Sequence, residues 1–343
     1  MHYSEERLED CIEAEEVKMM KWGVLGHIRE WSLDKHLSTA EMAEKLGYDS
    51  VWVNDNVTGW DPFIILADIA RKTQKVQLGI NVAIVNPKMR NPAVMASSAA
   101  TVNEISGGRM LLGVGCGGPS LLNMVDAEFK KPLKTTREAI EIISRLLAGE
   151  TIQKYEGEFF KQENVKLEQD GYHGGHIPIL VGAQGPKYLE LSGEIADGVN
   201  IPGGTLSYYR FAVENFNKGV KKSGRKLSDM MVCVNVNCYV SDDRSKAIKE
   251  ARLLLANSIS SRRPTALKAM NVSQEMAKDL RTNPDLLSDE YVLKEAICGT
   301  VDDCIKQVDE LEAIGVNHII LRFHEPDTVE TIGKAIISKL KAR

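Results

Sequence analysis

The residues best suited to chemistry stand at the ends of short apolar runs. Asp55 and Asn56 follow the run Ser50–Val53, and Trp60 comes five positions after Asp55. An aspartate there could hydrogen-bond a cofactor or move a proton, or cap a turn. Trp60 could stack on a flat ring, or serve as a core or lid aromatic. His27 and His324 close two other runs and belong to the side chain that changes charge near neutral pH, so acid–base work is open to them. Cys116 lies between glycines, yet nothing beside it would lower its pKa, which reads as packing. Two glycine loops are more informative. Gly113, Gly115, Gly117 and Gly118 let a backbone approach a ring or phosphate closely. Gly182, Ala183, Gln184, Gly185 and Pro186 lead into a helix whose first N–H groups could hold a phosphate. Each loop taken singly could be a tight turn. Two at one end of a fold favour a ligand. HExxH, GxSxG and a Walker loop are all missing, and no His/Asp cluster has metal spacing, which argues against metal and serine hydrolysis.

The elements that must position these residues are organised around 76–118. That stretch reads as strands Val76–Val82 and Arg109–Val114 joined by a helix from Pro92 to about Glu104. Proline suits a first helical turn, and Gly107-Gly108 suits a left-handed stop. Two short apolar strands with a helical crossover imply parallel pairing. Similar units recur along the chain. Strands are expected at 22–26, 50–53, 177–181, 198–201, 231–240 and 318–322, with helices between them and a polar excursion over 151–177. Eight strand–helix units predict an α/β fold, a (β/α)8 TIM barrel over residues 20–343, with an insertion after strand seven at about 257–295. Residues 1–19 read as an added acidic helix. In such a barrel the strand ends named above share one face. A Rossmann-type sheet is the alternative, weakened because Gly113-x-Gly115-x-Gly117 lacks the full dinucleotide fingerprint.

Composition narrows the function classes. The 343 residues carry a net charge of −5 without a basic block, which argues against nucleic acid as a partner. No apolar run approaches a membrane span, and no signal peptide is visible, so the expected location is cytoplasmic. The six cysteines are scattered without a CxxC pair and read as free thiols.

Several ordered segments resemble one family. They are Asn91-Pro92-Ala93, Ser97-Ser98, Asn103-Glu104-Ile105-Ser106-Gly107-Gly108-Arg109, Gly113-Val114-Gly115, Gly182 to Lys187, and Ser192 to Gly198. Together they resemble the bacterial-luciferase-like flavin and deazaflavin oxidoreductases, most closely the methylenetetrahydromethanopterin reductases that use coenzyme F420. The likeness covers about 20–325. It implies hydride transfer between the deazaflavin and a one-carbon unit on a tetrahydropterin, with FMN as the alternative cofactor, a small-molecule pterin or other substrate, and a homo-oligomer, most simply a dimer. It also implies a non-proline cis peptide at Asn81-Val82 behind the ring and a cofactor tail near Gly182–Pro186. On this basis Asp55, Asn56 and His27 are the catalytic candidates. Asp55, Trp60, Asn81, Val82, Gly115, Cys116, Gly117, Gly182, Ala183, Gln184, Gly185 and Pro186 are the cofactor-binding ones. The chain departs from the family at Leu25 and Gly118, where the reductases carry acids, and at Asn56, where many deazaflavin relatives carry histidine. An FMN-dependent monooxygenase and a non-catalytic binding paralogue therefore stand as alternatives.

Overall fold

The computed structural model describes residues 19–26, 30–169, 176–322 and 325–342. The expected N-terminal helix, His27 and His324 lie outside them. The described chain begins with β1 (Lys21–Gly26), α1 (Leu33–Lys45), β2 (Ser50–Val53), α2 (Pro62–Lys72), β3 (Gln77–Ile80), β4 (Ala83–Ile84), α3 (Pro92–Ser106) and β5 (Met110–Gly115). Next come α4 (Pro119–Leu122), α5 (Pro132–Leu147), the antiparallel hairpin β6 (Ile152–Glu156) and β7 (Lys161–Val165), β8 (Ile179–Gly182), α6 (Pro186–Ile195), β9 (Gly198–Ile201) and α7 (Leu206–Lys222). The last part runs through β10 (Met231–Val236), β11 (Cys238–Val240), α8 (Arg244–Ser260), α9 (Pro264–Ala269), α10 (Gln274–Asp279), α11 (Asp289–Glu295), β12 (Ile297–Gly299), α12 (Val301–Ala313), β13 (His318–Arg322), α13 (Pro326–Ile332) and α14 (Ser338–Lys341).

Eight parallel strands close into a ring in chain order, β1, β2, β3, β5, β8, β9, β10 and β13, with β13 pairing back to β1. This is a (β/α)8 barrel. Its interior is filled by Leu25, Trp52, Leu111, Leu180, Cys233 and Ile320, all buried. Trp52 is too large for such a layer unless its neighbours give way. A methyl group on Gly79 would come within 2.1 Å of the indole, and one on Gly23 within 2.8 Å. Glycines on the two flanking strands thus make room for one tryptophan, which keeps the interior close-packed. Leu25, at the position where an acid is expected from the resemblance, is part of this apolar filling.

Local signals set the helix ends. The Asp61 carboxylate accepts the Phe63 N–H at 2.9 Å, with Pro62 in the first turn of α2. Asn91 caps α3 in the same way ahead of Pro92, and Gly107 ends that helix at φ +66°. Such caps satisfy N–H and carbonyl groups that helix ends otherwise leave unpaired.

One expected element is different. The strand predicted over 231–240 is two strands. β10 stays in the barrel, while β11 leaves it and pairs in parallel with β12, Cys238 opposite Ile297. The apolar pattern runs on through Asn237, but a second parallel partner takes the distal half. The segment 257–295 holds the end of α8 and the helices α9, α10 and α11, which bury Met270, Leu280 and Val292.

Candidate active site at the C-terminal end of the barrel

The site begins where β3 ends. The Asn81–Val82 peptide is cis, and the chain continues into β4, which pairs with β5 through Ala83–Val114 and Ile84–Gly115. The Val82 side chain lies over a floor of glycines. A methyl group on Gly115 would stand 2.6 Å from Val82 Cγ2, and one on Gly113 or Gly182 would stand 3.0 Å from its methyls. The glycines of β5 and β8 are therefore a seat for Val82, and Val82 presents an apolar surface to the space above. Gly117 completes the loop in the left-handed region, at φ +72°, where a glycine is the favoured residue.

Above this floor opens a cavity of about 740 Å³, within the range of small-molecule sites. Its walls include Asn81, Val82, Gly115, Cys116, Gly117, Gly118, Gly182, Gln184, Gly185 and Pro186. Among the described residues two cations, Lys187 and Arg263, lie on it and no carboxylate does. Arg263 stacks over Phe129 at 6.0 Å, which keeps its guanidinium at the wall. Gly185 precedes α6 with no side chain capping the helix; Pro186 has no N–H and the Tyr188 N–H donates to the Gly185 carbonyl at 3.0 Å, which leaves the Lys187 N–H as the main-chain donor of the first turn beside the cavity. The Tyr208 hydroxyl donates to the Gln184 carbonyl at 3.2 Å and steadies that loop.

Cys116 is half-buried, and burial pushes its thiol up, so it is not a thiolate nucleophile. The Tyr188 phenol beside it shares a hydrogen bond with the Thr136 hydroxyl at 2.7 Å, and burial raises it well above its ordinary value. Ala183 is buried beneath the loop, its N–H donating to the Asn200 carbonyl at 3.3 Å.

The strand-two residues stand apart from this cavity. Asp55 is buried, and its Oδ2 accepts the Ile84 N–H at 3.1 Å and Arg90 Nε at 3.3 Å. Its Oδ1 accepts Arg90 Nη2 at 3.2 Å, and Arg90 also reaches Asp61 at 3.1 Å. Burial works against the charge on Arg90, but Asp55 and Asp61 hold its pKa above the ordinary value. Asn56 is half-buried in the same loop. Trp60 is 48% exposed, its indole N–H donating to the Trp31 carbonyl at 3.3 Å. None of Asp55, Asn56 and Trp60 lines the cavity. Reading the sequence missed Asn200 and Asn235, both buried and both on the cavity wall. The signal was present, since each is an asparagine inside a wholly apolar strand. Buried polar groups in such strands are there to be hydrogen-bonded. Among the described residues no group of three or more histidines, cysteines and carboxylates could hold a metal ion, and five cysteines are free thiols.

Comparison with known proteins agrees with this geometry. The chain is 34% identical to a 5,10-methylenetetrahydromethanopterin reductase of Archaeoglobus fulgidus, over 94% of this chain and 100% of the relative. It is 32% identical to the enzyme of the same name from Methanolobus tindarius, over 87% and 94% of the two chains. Its fold matches the solved coenzyme F420 dependent tetrahydromethanopterin reductase from Methanopyrus kandleri with a TM-score of 0.83 at 24% identity, covering 94% and 99%. The family model described as luciferase-like monooxygenase matches residues 20–318. The barrel, the glycine seat for Val82 and the cavity above it are thus those of a member of the luciferase-like monooxygenase family, to which this chain belongs.

Proposed function

We propose that this protein is a coenzyme F420-dependent oxidoreductase that transfers a hydride between the deazaflavin and a one-carbon unit carried by a tetrahydropterin. The observation that carries the proposal is the cavity itself. It pairs an apolar support, Val82 on its glycine seat, with two cations and a helix start, and no carboxylate lines it among the described residues. A flat ring with an anionic tail fits that donor set, since the ring needs an apolar support and the tail needs cations. Full-length likeness to proteins named as methylenetetrahydromethanopterin reductases supports the choice of substrate.

The deazaflavin supplies the hydride chemistry, and the protein supplies orientation. Val82 supports one face of the ring. Gly115, Gly117 and Gly182 allow the backbone to approach it, while Lys187, Arg263 and the first turn of α6 would hold the tail. Asp55 acts from behind, holding β4 through the Ile84 N–H. With both reactants held in line, positioning can account for much of the rate.

A second reading is favoured by one observation. Leu25 is packed in the barrel interior, and the space at Gly118 holds no side chain. With no carboxylate on the cavity among the described residues, the chain could bind cofactor and pterin without protonating a pterin nitrogen. Two measurements separate the readings. Fluorescence titration with F420 and FMN tests binding, and saturable quenching by F420 is expected. Turnover with methylenetetrahydromethanopterin and reduced F420 then tests chemistry. Absence of F420 binding would sink the proposal. Binding without turnover would leave the non-catalytic reading.

A further inference from the structure

The floor of the cavity carries a chain of three amides whose direction can be assigned. Asn235 Nδ2 donates to the Ile201 carbonyl at 2.9 Å and to Asn200 Oδ1. A carbonyl oxygen only accepts, so the Asn235 atom facing Ile201 must be its nitrogen. Asn235 Oδ1 then faces Asn81, whose Nδ2 donates to it. Asn200 must likewise turn its oxygen toward Asn235, or two NH2 groups would meet. Its Nδ2 is left over. That atom is enclosed and has no hydrogen-bond partner, although Asn200 is only 1% exposed and stands on the cavity wall. A buried amide donor left this way is costly until an acceptor meets it. The three asparagines thus leave one donor unpaired at the cavity wall, and an acceptor brought there by a ligand would satisfy it.

We infer that Asn200 is a ligand-binding residue whose Nδ2 donates to a ring carbonyl oxygen, the lactam edge of a pyrimidine-type ring resting on Val82. The inference rests on the functional reading above and deepens it. The register favours a ring edge over a tail. Asn200 pairs directly across the sheet with Gly182, and Gly182 is one of the glycines on which Val82 sits. The donor is therefore one strand from the apolar support, where a ring lying on Val82 would present its rim. A phosphate or carboxylate would instead be drawn to the exposed cations Lys187 and Arg263. The lactam edge is common to a deazaflavin, a flavin and a pterin, so the source can be cofactor or substrate.

Asn200→Asp keeps an oxygen for Asn235 and replaces the unpaired donor with a carboxyl oxygen. Asn200→Ala removes the side chain and leaves Asn235 bonded to Ile201, which guards against misfolding of the first variant. F420 and FMN are titrated by fluorescence into wild type and variants without turnover. Methylenetetrahydromethanopterin is then titrated by calorimetry into cofactor-loaded protein, and urea unfolding confirms the fold. A rise of about tenfold or more in Kd for the cofactor assigns the edge to the cofactor ring. The same rise confined to the pterin assigns it to the substrate. Folded variants that bind both with unchanged Kd would overturn the inference and leave the functional reading standing. A wild type that binds none of the three would overturn both.

Discussion

At the residue scale, Asp55 is a strand-end aspartate whose observed partners all belong to the protein. An aspartate at the end of a barrel strand invites a catalytic role, yet both of its oxygens are engaged by Ile84 and Arg90. Its work is to hold β4 and the loop that carries Val82. Asp55→Ala would leave Arg90 half-buried without its main partner and the Ile84 N–H unpaired. The expected loss is about 3 kcal/mol of stability, read by urea unfolding. F420 affinity should fall as a consequence, and adding the ligand in excess should restore part of the unfolding midpoint. Unchanged stability would show that the network holds nothing. Gly115 makes the converse case. A methyl group there meets Val82 Cγ2 at 2.6 Å, so Gly115→Ala must displace the ring support. We expect a stability cost of about 1–3 kcal/mol together with loss of F420 binding in the fluorescence titration. Binding at wild-type affinity would mean that Val82 is not the support.

At the element scale, the segment Ser106-Gly107-Gly108-Arg109 carries part of the family likeness, and its meaning is architectural. Gly107 ends α3, and Arg109 then reaches back across two units. Its guanidinium donates to the carbonyls of Ala70, Thr73, Val76 and Ser106 and to the Thr73 hydroxyl. One side chain thereby closes the end of α2, the entry to β3 and the end of α3. Those groups lie at the opposite end of the barrel from the cavity. A lysine has the charge but not the planar fork, and would leave several carbonyls unpaired. Arg109→Lys is expected to cost about 1–3 kcal/mol in urea unfolding while leaving the Kd for F420 within twofold of wild type. A changed Kd with unchanged stability would contradict this assignment.

At the scale of the whole molecule, the barrel was legible because each strand–helix unit carries its own punctuation, such as Asn91-Pro92 before α3 and Gly107-Gly108 after it. What escaped reading depends on partners distant in sequence. The apolar run through Asn237 does not reveal that β11 turns to β12, and Asp55 does not reveal Arg90, 35 positions on. The glycine loops were readable as a site, whereas Val82 as their occupant depends on β5 and β8 coming together. His318 is the farthest-reaching case, because it couples the closure of the barrel to pH. It is wholly buried where β13 closes against β1, and burial first, then Lys21, pushes its pKa down to about 3. Trp52 Nε1 donates to Ser50 Oγ at 2.7 Å, and the same oxygen shares a hydrogen bond with His318 Nε2, also at 2.7 Å. Burial away from water, with Lys21 near, keeps the imidazole neutral. The unfolded chain takes up a proton near pH 6.5, and the folded chain resists it down to about pH 3. The stability from this group is present in full above pH 6.5 and is lost as pH falls below it. Between pH 6.5 and 5 the loss should be about 2 kcal/mol, from about 1.4 kcal/mol for each pH unit. His318→Gln keeps a hydrogen-bonding group for Ser50 and cannot titrate. Urea midpoints for the two proteins should converge as pH falls from 7 to 5, and parallel curves would mean that His318 is protonated in the folded barrel.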